Sequence, residues 1–190
     1  INIGSNNVTY STAVTGTGAF AKSGTGTLTM QGNNTFTGST TINGGGLVLG
    51  GSSASTGRTT LNGADTFIEL AGDSSLGAVP GVAATNLTLN PGAGNTSSVK
   101  FNGATTLAAN RNITLSSGTG ILNTNGNAVT ISGSLGGSGN LVKNGSGVLT
   151  LGSTATASGS TTINAGGITV GNVNALPSGA IVLNNDAAIT

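Results

Sequence analysis

Few residues in this chain could do acid-base or metal chemistry. Among 190 residues there is no His and no Cys, and the acids are Asp65, Glu69, Asp73 and Asp186. Without imidazole or thiol, Ser-His-Asp and Cys-His nucleophiles and the usual zinc sites are excluded. Three of the acids share one stretch, DTFIELAGD (65–73). Paired carboxylates serve glycosidases and clustered ones hold calcium, so the stretch merits inspection. On an extended strand Glu69 points away from Ile68 and Leu70, and a bend at Gly72 re-aims Asp73. These acids are therefore expected to be solvated surface groups. The glycine-rich SGTGTL (23–28) and GSGNLVKNGSG (137–147) lack the Lys-Ser/Thr and following helix of a phosphate loop. GGSGN (136–140) lacks the Asp of a calcium-binding nonapeptide. No catalytic, cofactor-binding or metal-binding residue is expected, and no enzymatic activity.

The elements that would have to position such residues are strands. Gly (35), Thr (31) and Asn (23) make up nearly half the chain, and charged residues only 5%. Apolar residues come in short alternating groups such as TLTM (27–30), NLTLN (86–90), NITL (112–115) and GVLTL (147–151), each bounded by Gly, Asn or Ser. Alternation of this kind is the mark of half-buried β-strands, and no window sustains a helical spacing. A net charge of +1 supplies no field for nucleic acid or an anionic membrane. No apolar run is long enough for a membrane-spanning helix, so no direct membrane insertion is expected.

A repeat decides among the all-β architectures. GSTTINGGGLVLG (38–50) returns as GSTTINAGGITVG (159–171), and a shift of 121 residues aligns 1–50 with 122–171 without a gap. Over 16–50 against 137–171, 17 of 35 positions are identical. A repeat continued by translation points to stacked units, each burying its apolar face on the next. The expected fold is a parallel β-helix of roughly eight rungs, about 40 Å long at the usual strand spacing, forming one segment over 1–190. Gly would serve its corners. Asn43, Asn123, Asn125 and Asn164 are candidates to stack on Asn of neighbouring rungs, with local Asn turns as the alternative. Lys22 and Lys143, equivalent in the two copies, are expected to face outward and discourage edge pairing.

SGTGTLTMQGNNTFTGSTTINGGGLVLG (23–50) closely resembles the autotransporter-associated β-strand repeat, also called the passenger-associated transport repeat. Its pattern is G-x-G-x-L-T-L-x-G-x-N-T-Y-T-G-x-T-T-I-N-x-G-x-L. Gly24, Gly26, Leu28, Thr29, Gly32, Asn34 and Thr35 fall on it, as do Thr37, Gly38, Thr40 to Asn43 and Leu47, with Met30 and Phe36 replacing Leu and Tyr. The second copy keeps Gly145, Gly147, Leu149 to Leu151 and Gly159 to Asn164, but has Ser153, Thr154, Ala155 and Ala157 in its middle section. The resemblance implies a right-handed β-helical passenger of a type V secreted protein, exported to the bacterial cell surface through a C-terminal outer-membrane β-barrel of the parent chain.

The function this implies is a structural stalk supporting secretion, folding and display. The alternative is an adhesive rod that binds glycans or host proteins or associates with itself. A polysaccharide-degrading enzyme comes third. Because residue 1 aligns with residue 122 in mid-repeat, both ends are expected to be bare rungs capable of end-to-end assembly.

Overall fold

One residue in and one residue out is the rule along the strands, as β-branched and Leu side chains at every second position require. In Thr66–Leu70, for example, Thr66, Ile68 and Leu70 are buried while Phe67 and Glu69 lie on the outer face. The computed structural model describes residues 1–185 and 187–190, and Asp186 lies outside the described residues. All pairings between named strands are parallel, and the strands form three sheets wound around one apolar interior. The described helical content is a single 3-10 turn, Asp73–Leu76.

The nine-stranded sheet takes one strand from each turn of the coil, from Val8–Tyr10 to Ile181–Leu183. The described residues thus make about nine turns, in keeping with the roughly eight rungs expected from a typical repeat length. Successive strands of this sheet begin 19 to 23 residues apart, except for the 30 residues between Thr66 and Thr96. The longer turn accommodates the 3-10 turn and a following loop. The six-stranded sheet runs from Phe20–Lys22 to Leu135–Gly137, and the five-stranded sheet from Thr105–Leu107 to Ala188–Ile189. Early turns cross the third face with little strand structure, held by bonds such as Thr35 N–H to Val14 O at 2.9 Å and Ala54 N–H to Asn34 O at 2.8 Å.

Inward residues stack in columns. Lys22, Ile42, Leu61, Leu89 and Leu115 are partners in successive rungs of the six-stranded sheet. Val99, Leu122, Lys143 and Ile163 form the corresponding column of the nine-stranded sheet. Leu28 and Leu149 are buried at equivalent positions, and so are Ile42 and Ile163. Phe20 and Phe36 stack with ring centroids 5.5 Å apart. Their counterparts Leu141 and Ala157 are also buried, so the aromatic of the first copy is a packing residue that smaller side chains replace in the second.

The corners explain the glycine. Gly24 and Gly145 have φ of 86° and 85°, a region that side chains disfavour. Gly147 is held by contact: a Cβ there would sit inside the envelope of the Asn127 carbonyl oxygen on the rung below. Asn43, Asn62 and Asn90 form a ladder, each Nδ2 donating to the Oδ1 of the preceding rung at 3.0 and 3.1 Å. Asn144, Asn164 and Asn184 form a second ladder, with both bonds at 2.8 Å. The stacking expected of Asn43 and Asn164 is thus present. Asn123 and Asn125 instead make a local turn, in which Asn125 N–H donates to Asn123 Oδ1 at 2.9 Å and Asn125 has φ of 49°.

The two copies are not superposed on one face. Strand Phe20–Lys22 lies in the six-stranded sheet and its counterpart Asn140–Asn144 in the nine-stranded sheet; Thr27–Met30 lies in the nine-stranded sheet and its counterpart Val148–Leu151 in the five-stranded one. From Phe20–Lys22 the chain moves one face on to Thr27–Met30, and five further strands of the nine-stranded sheet then lead to Asn140–Asn144. The 121-residue shift is therefore five turns and one face, and the duplicated unit is rotated about the axis by a third of a turn.

Candidate functional site

The acidic stretch 65–73 spans a turn, a strand and the start of the 3-10 turn, and this sends its three carboxylates to separate places. Asp65, at a corner with φ of 54°, accepts from the Thr96 hydroxyl at 3.1 Å. Glu69 projects outward, as the alternation requires, and its register partner on the next rung is Lys100. Its Oε2 accepts from Lys100 Nζ at 3.3 Å and from Asn102 Nδ2 at 2.9 Å. Asp73 turns the other way, and its Oδ1 accepts from Arg111 Nε at 2.7 Å and from Ala108 N–H at 3.3 Å. Each acid is hydrogen-bonded by its own partner on a following rung; Asp65 is exposed at the surface, and Glu69 and Asp73 are partly exposed. Among the described residues no group of three or more His, Cys, Asp or Glu could hold a metal ion.

The polar chemistry of the molecule lies inside the coil. Lys22 and Lys143 are fully buried, which overturns their expected outward placement. The sequence held the signal: in Leu141-Val142-Lys143 the alternation that puts Leu141 inside puts Lys143 inside as well. The corner that follows each lysine turns its carbonyls inward. Lys22 Nζ donates to Gly24 O at 2.8 Å and to Gly44 O on the next rung at 2.7 Å, with Ser23 O at 3.5 Å. Lys143 Nζ donates to Gly145 O at 2.7 Å, Ala165 O at 3.0 Å and Asn144 O at 3.1 Å. Three acceptors match the three donors of an ammonium. Desolvation lowers the pKa of both lysines, that of Lys143 from 10.5 to about 8. Their carbonyl partners lie on two successive rungs, which makes each lysine a tie between rungs. Neither is placed to act as a nucleophile.

Arg111 is the third buried cation. It shares the parity of Ile113 and Leu115 and so enters the interior. Besides Asp73, it donates to Asn86 Oδ1 at 2.7 Å and to the carbonyls of Gly77 and Ala78. Asn110 Nδ2 adds a bond to Pro80 O at 2.9 Å. These contacts fasten the loop of the long turn to the coil. An apolar hollow lined by Ile1, Tyr10, Val14, Phe20, Leu28 and Met30 lies in the first turns. Among the described residues no helix is long and apolar enough to cross a membrane.

This arrangement can hold a rod together; among the described residues the carboxylates of Asp65, Glu69 and Asp73 lie apart, each with its own partner. Residues 20–49 and 141–170 each match the family model of the passenger-associated transport repeat. The two matches are offset by the same 121 residues as the internal duplication. No curated protein and no solved structure matches the chain.

Proposed function

From the premise that the chain carries two passenger-associated transport repeats, we propose that it is a single length of structural stalk in an exported bacterial passenger. The parent chain would reach the cell surface through an outer-membrane β-barrel, and this segment would support folding and display of what it carries. The observation that favours this reading is the rotation between the copies. A duplicated binding site would have to face one way, whereas here the second copy is turned by one face. What the copies share is mostly interior or corner: Lys22/Lys143, Gly24/Gly145, Leu28/Leu149, Ile42/Ile163. Duplication has kept what makes the coil stack, as a solenoid that lengthens by repetition requires.

The test is display. Placed between a signal peptide and an outer-membrane β-barrel in a Gram-negative host, the chain should appear outside the cell as a protease-resistant segment. Ile42→Asp should abolish that resistance, while Thr29→Ser on the outer face should leave it intact. High-affinity capture of the isolated chain by a glycan array would replace the stalk reading with the adhesive one.

A further inference from the structure

The outer face of the six-stranded sheet carries a regular grid with no role in the coil's interior. Thr41, Thr60, Thr88 and Thr114 stand in register on four successive turns. Two residues further along the same strands come Asn43, Asn62, Asn90 and Ser116. The result is two parallel ranks. Their spacing is about 4.8 Å from rung to rung and about 6.6 Å from rank to rank, as strand geometry dictates. The first rank is stiff because a β-branched Thr in a strand has little χ1 freedom. The second is held by the Asn43–Asn62–Asn90 ladder and by the Ser117 hydroxyl, which donates to Asn90 Oδ1 at 3.1 Å. Thr114 is further fixed by a 3.1 Å hydroxyl contact with Thr85.

Such a grid suits a ligand that is itself flat, uncharged and periodic. No aromatic side chain lies in either rank to act as a platform for a sugar ring. No acid lies there either, and the exposed Arg58 stands two residues before Thr60. Each Thr offers a hydroxyl that can anchor one water and a methyl that orders the waters around it. The rung spacing lies close to the oxygen repeat along the a axis of hexagonal ice, and the rank spacing falls somewhat short of the repeat along c. A pre-ordered face also loses little side-chain entropy on binding. We infer that this face binds the surface of ice.

The other faces serve as internal comparisons. The nine-stranded sheet is interrupted on its outer side by Phe67, Ile121 and the Glu69–Lys100 ion pair. The five-stranded sheet has one Thr rank, formed by Thr106, Thr130, Thr150 and Thr169. Beside it stand Ala128, Val148 and Gly167 in place of a second polar rank. Ice adhesion does not depend on the stalk reading, so either can fail alone.

The experiment is ice-recrystallisation inhibition by the purified 190-residue chain, with partition of fluorescently labelled protein into a growing ice front as a second readout. Wild type and Thr150→Tyr should inhibit and enter the ice. Thr60→Tyr and Thr88→Tyr should lose both effects at an unchanged melting temperature. Should the tyrosines unfold the chain, Thr60→Lys, an outward charge that a strand tolerates, should show the same loss. Absence of inhibition by wild type overturns the inference, as does inhibition that survives the grid substitutions or disappears with Thr150→Tyr alone. Binding to crystalline cellulose or chitin that Thr88→Tyr abolishes, without any effect on ice, would also overturn it and assign the face to a polysaccharide.

Discussion

Lys22 and Lys143 hold the same place in two copies of one repeat, bury their ammonium groups in equivalent carbonyl cages, and lie on adjacent faces of the coil. Each sits directly beneath an isoleucine of the next rung, Ile42 or Ile163. A buried cation is therefore part of the repeat's packing scheme.

Stability should rise with pH across the alkaline range. Burial lowers Lys143 from 10.5 to about 8, and Lys22 moves in the same direction. Between those two values the unfolded chain holds a proton that the folded chain has released. Folding is therefore penalised in full below about pH 8 and progressively less above it. Urea titrations from about pH 7 to about pH 10.5 should show a rising midpoint. Lys143→Met should flatten much of the rise, and should cost about 1–3 kcal/mol at neutral pH because the corner carbonyls lose their donor. A midpoint that falls over this window would falsify the account.

Ile163→Ala should destabilise by about 2–5 kcal/mol, the range for deleting a fully buried aliphatic side chain. Ile163→Asp should cost more, because it adds an unpaired charge to the column. Thermal melts of both, with Thr162→Ala on the outer face as control, check the order: Asp worst, Ala intermediate, control near wild type.

Gly147→Ala should cost about 1–3 kcal/mol, because its Cβ would press on the carbonyl of the rung below, which cannot move alone. Gly81→Ala should be nearly neutral, since nothing lies within 4 Å of the added carbon. Equal melting temperatures for the two variants would contradict the corner-contact explanation.

Removing Arg111 and removing Glu69 should differ sharply. Glu69→Gln breaks a partly exposed pair and should cost less than about 1 kcal/mol. Arg111→Ala leaves Asp73 without its charged partner and the Gly77 and Ala78 carbonyls without their donor, and should cost about 3–5 kcal/mol. Limited proteolysis should cut Arg111→Ala between Gly77 and Ala84 while wild type resists.

Adding EDTA or millimolar calcium should leave the melting temperature unchanged, because Asp65, Glu69 and Asp73 already have separate partners. A calcium-dependent rise abolished by Asp73→Asn would reinstate a metal site in this stretch.

Alternation made the fold class and most of the core readable. Thr27–Met30 and Val148–Leu151 each show which residues face in, because a strand admits only two sides. The same rule held the buried cations, but Lys and Arg are so seldom interior that their parity with Leu141 and Ile113 was easy to overlook. The rotation between copies was not legible, since early turns cross the third face through loops such as 34–37 that carry no strand pattern. For the Asn residues, strand-end position was only half a signal: Asn43 and Asn164 follow a Thr-Thr-Ile strand and stack, whereas Asn123, also at a strand end, accepts from Asn125 N–H in a local turn.

The nine-stranded sheet is the keel of the rod, present in every turn, while the other two sheets overlap only from Thr105–Leu107 to Leu135–Gly137. Tension along the axis loads the rungs in series, so resistance is set by the rung with the fewest inter-strand bonds. The triple-sheeted middle should hold longest under load, and the double-sheeted lengths on either side should open first. A rod built this way would give in stages under shear and keep a closed central section as a seed from which the slack turns rewind.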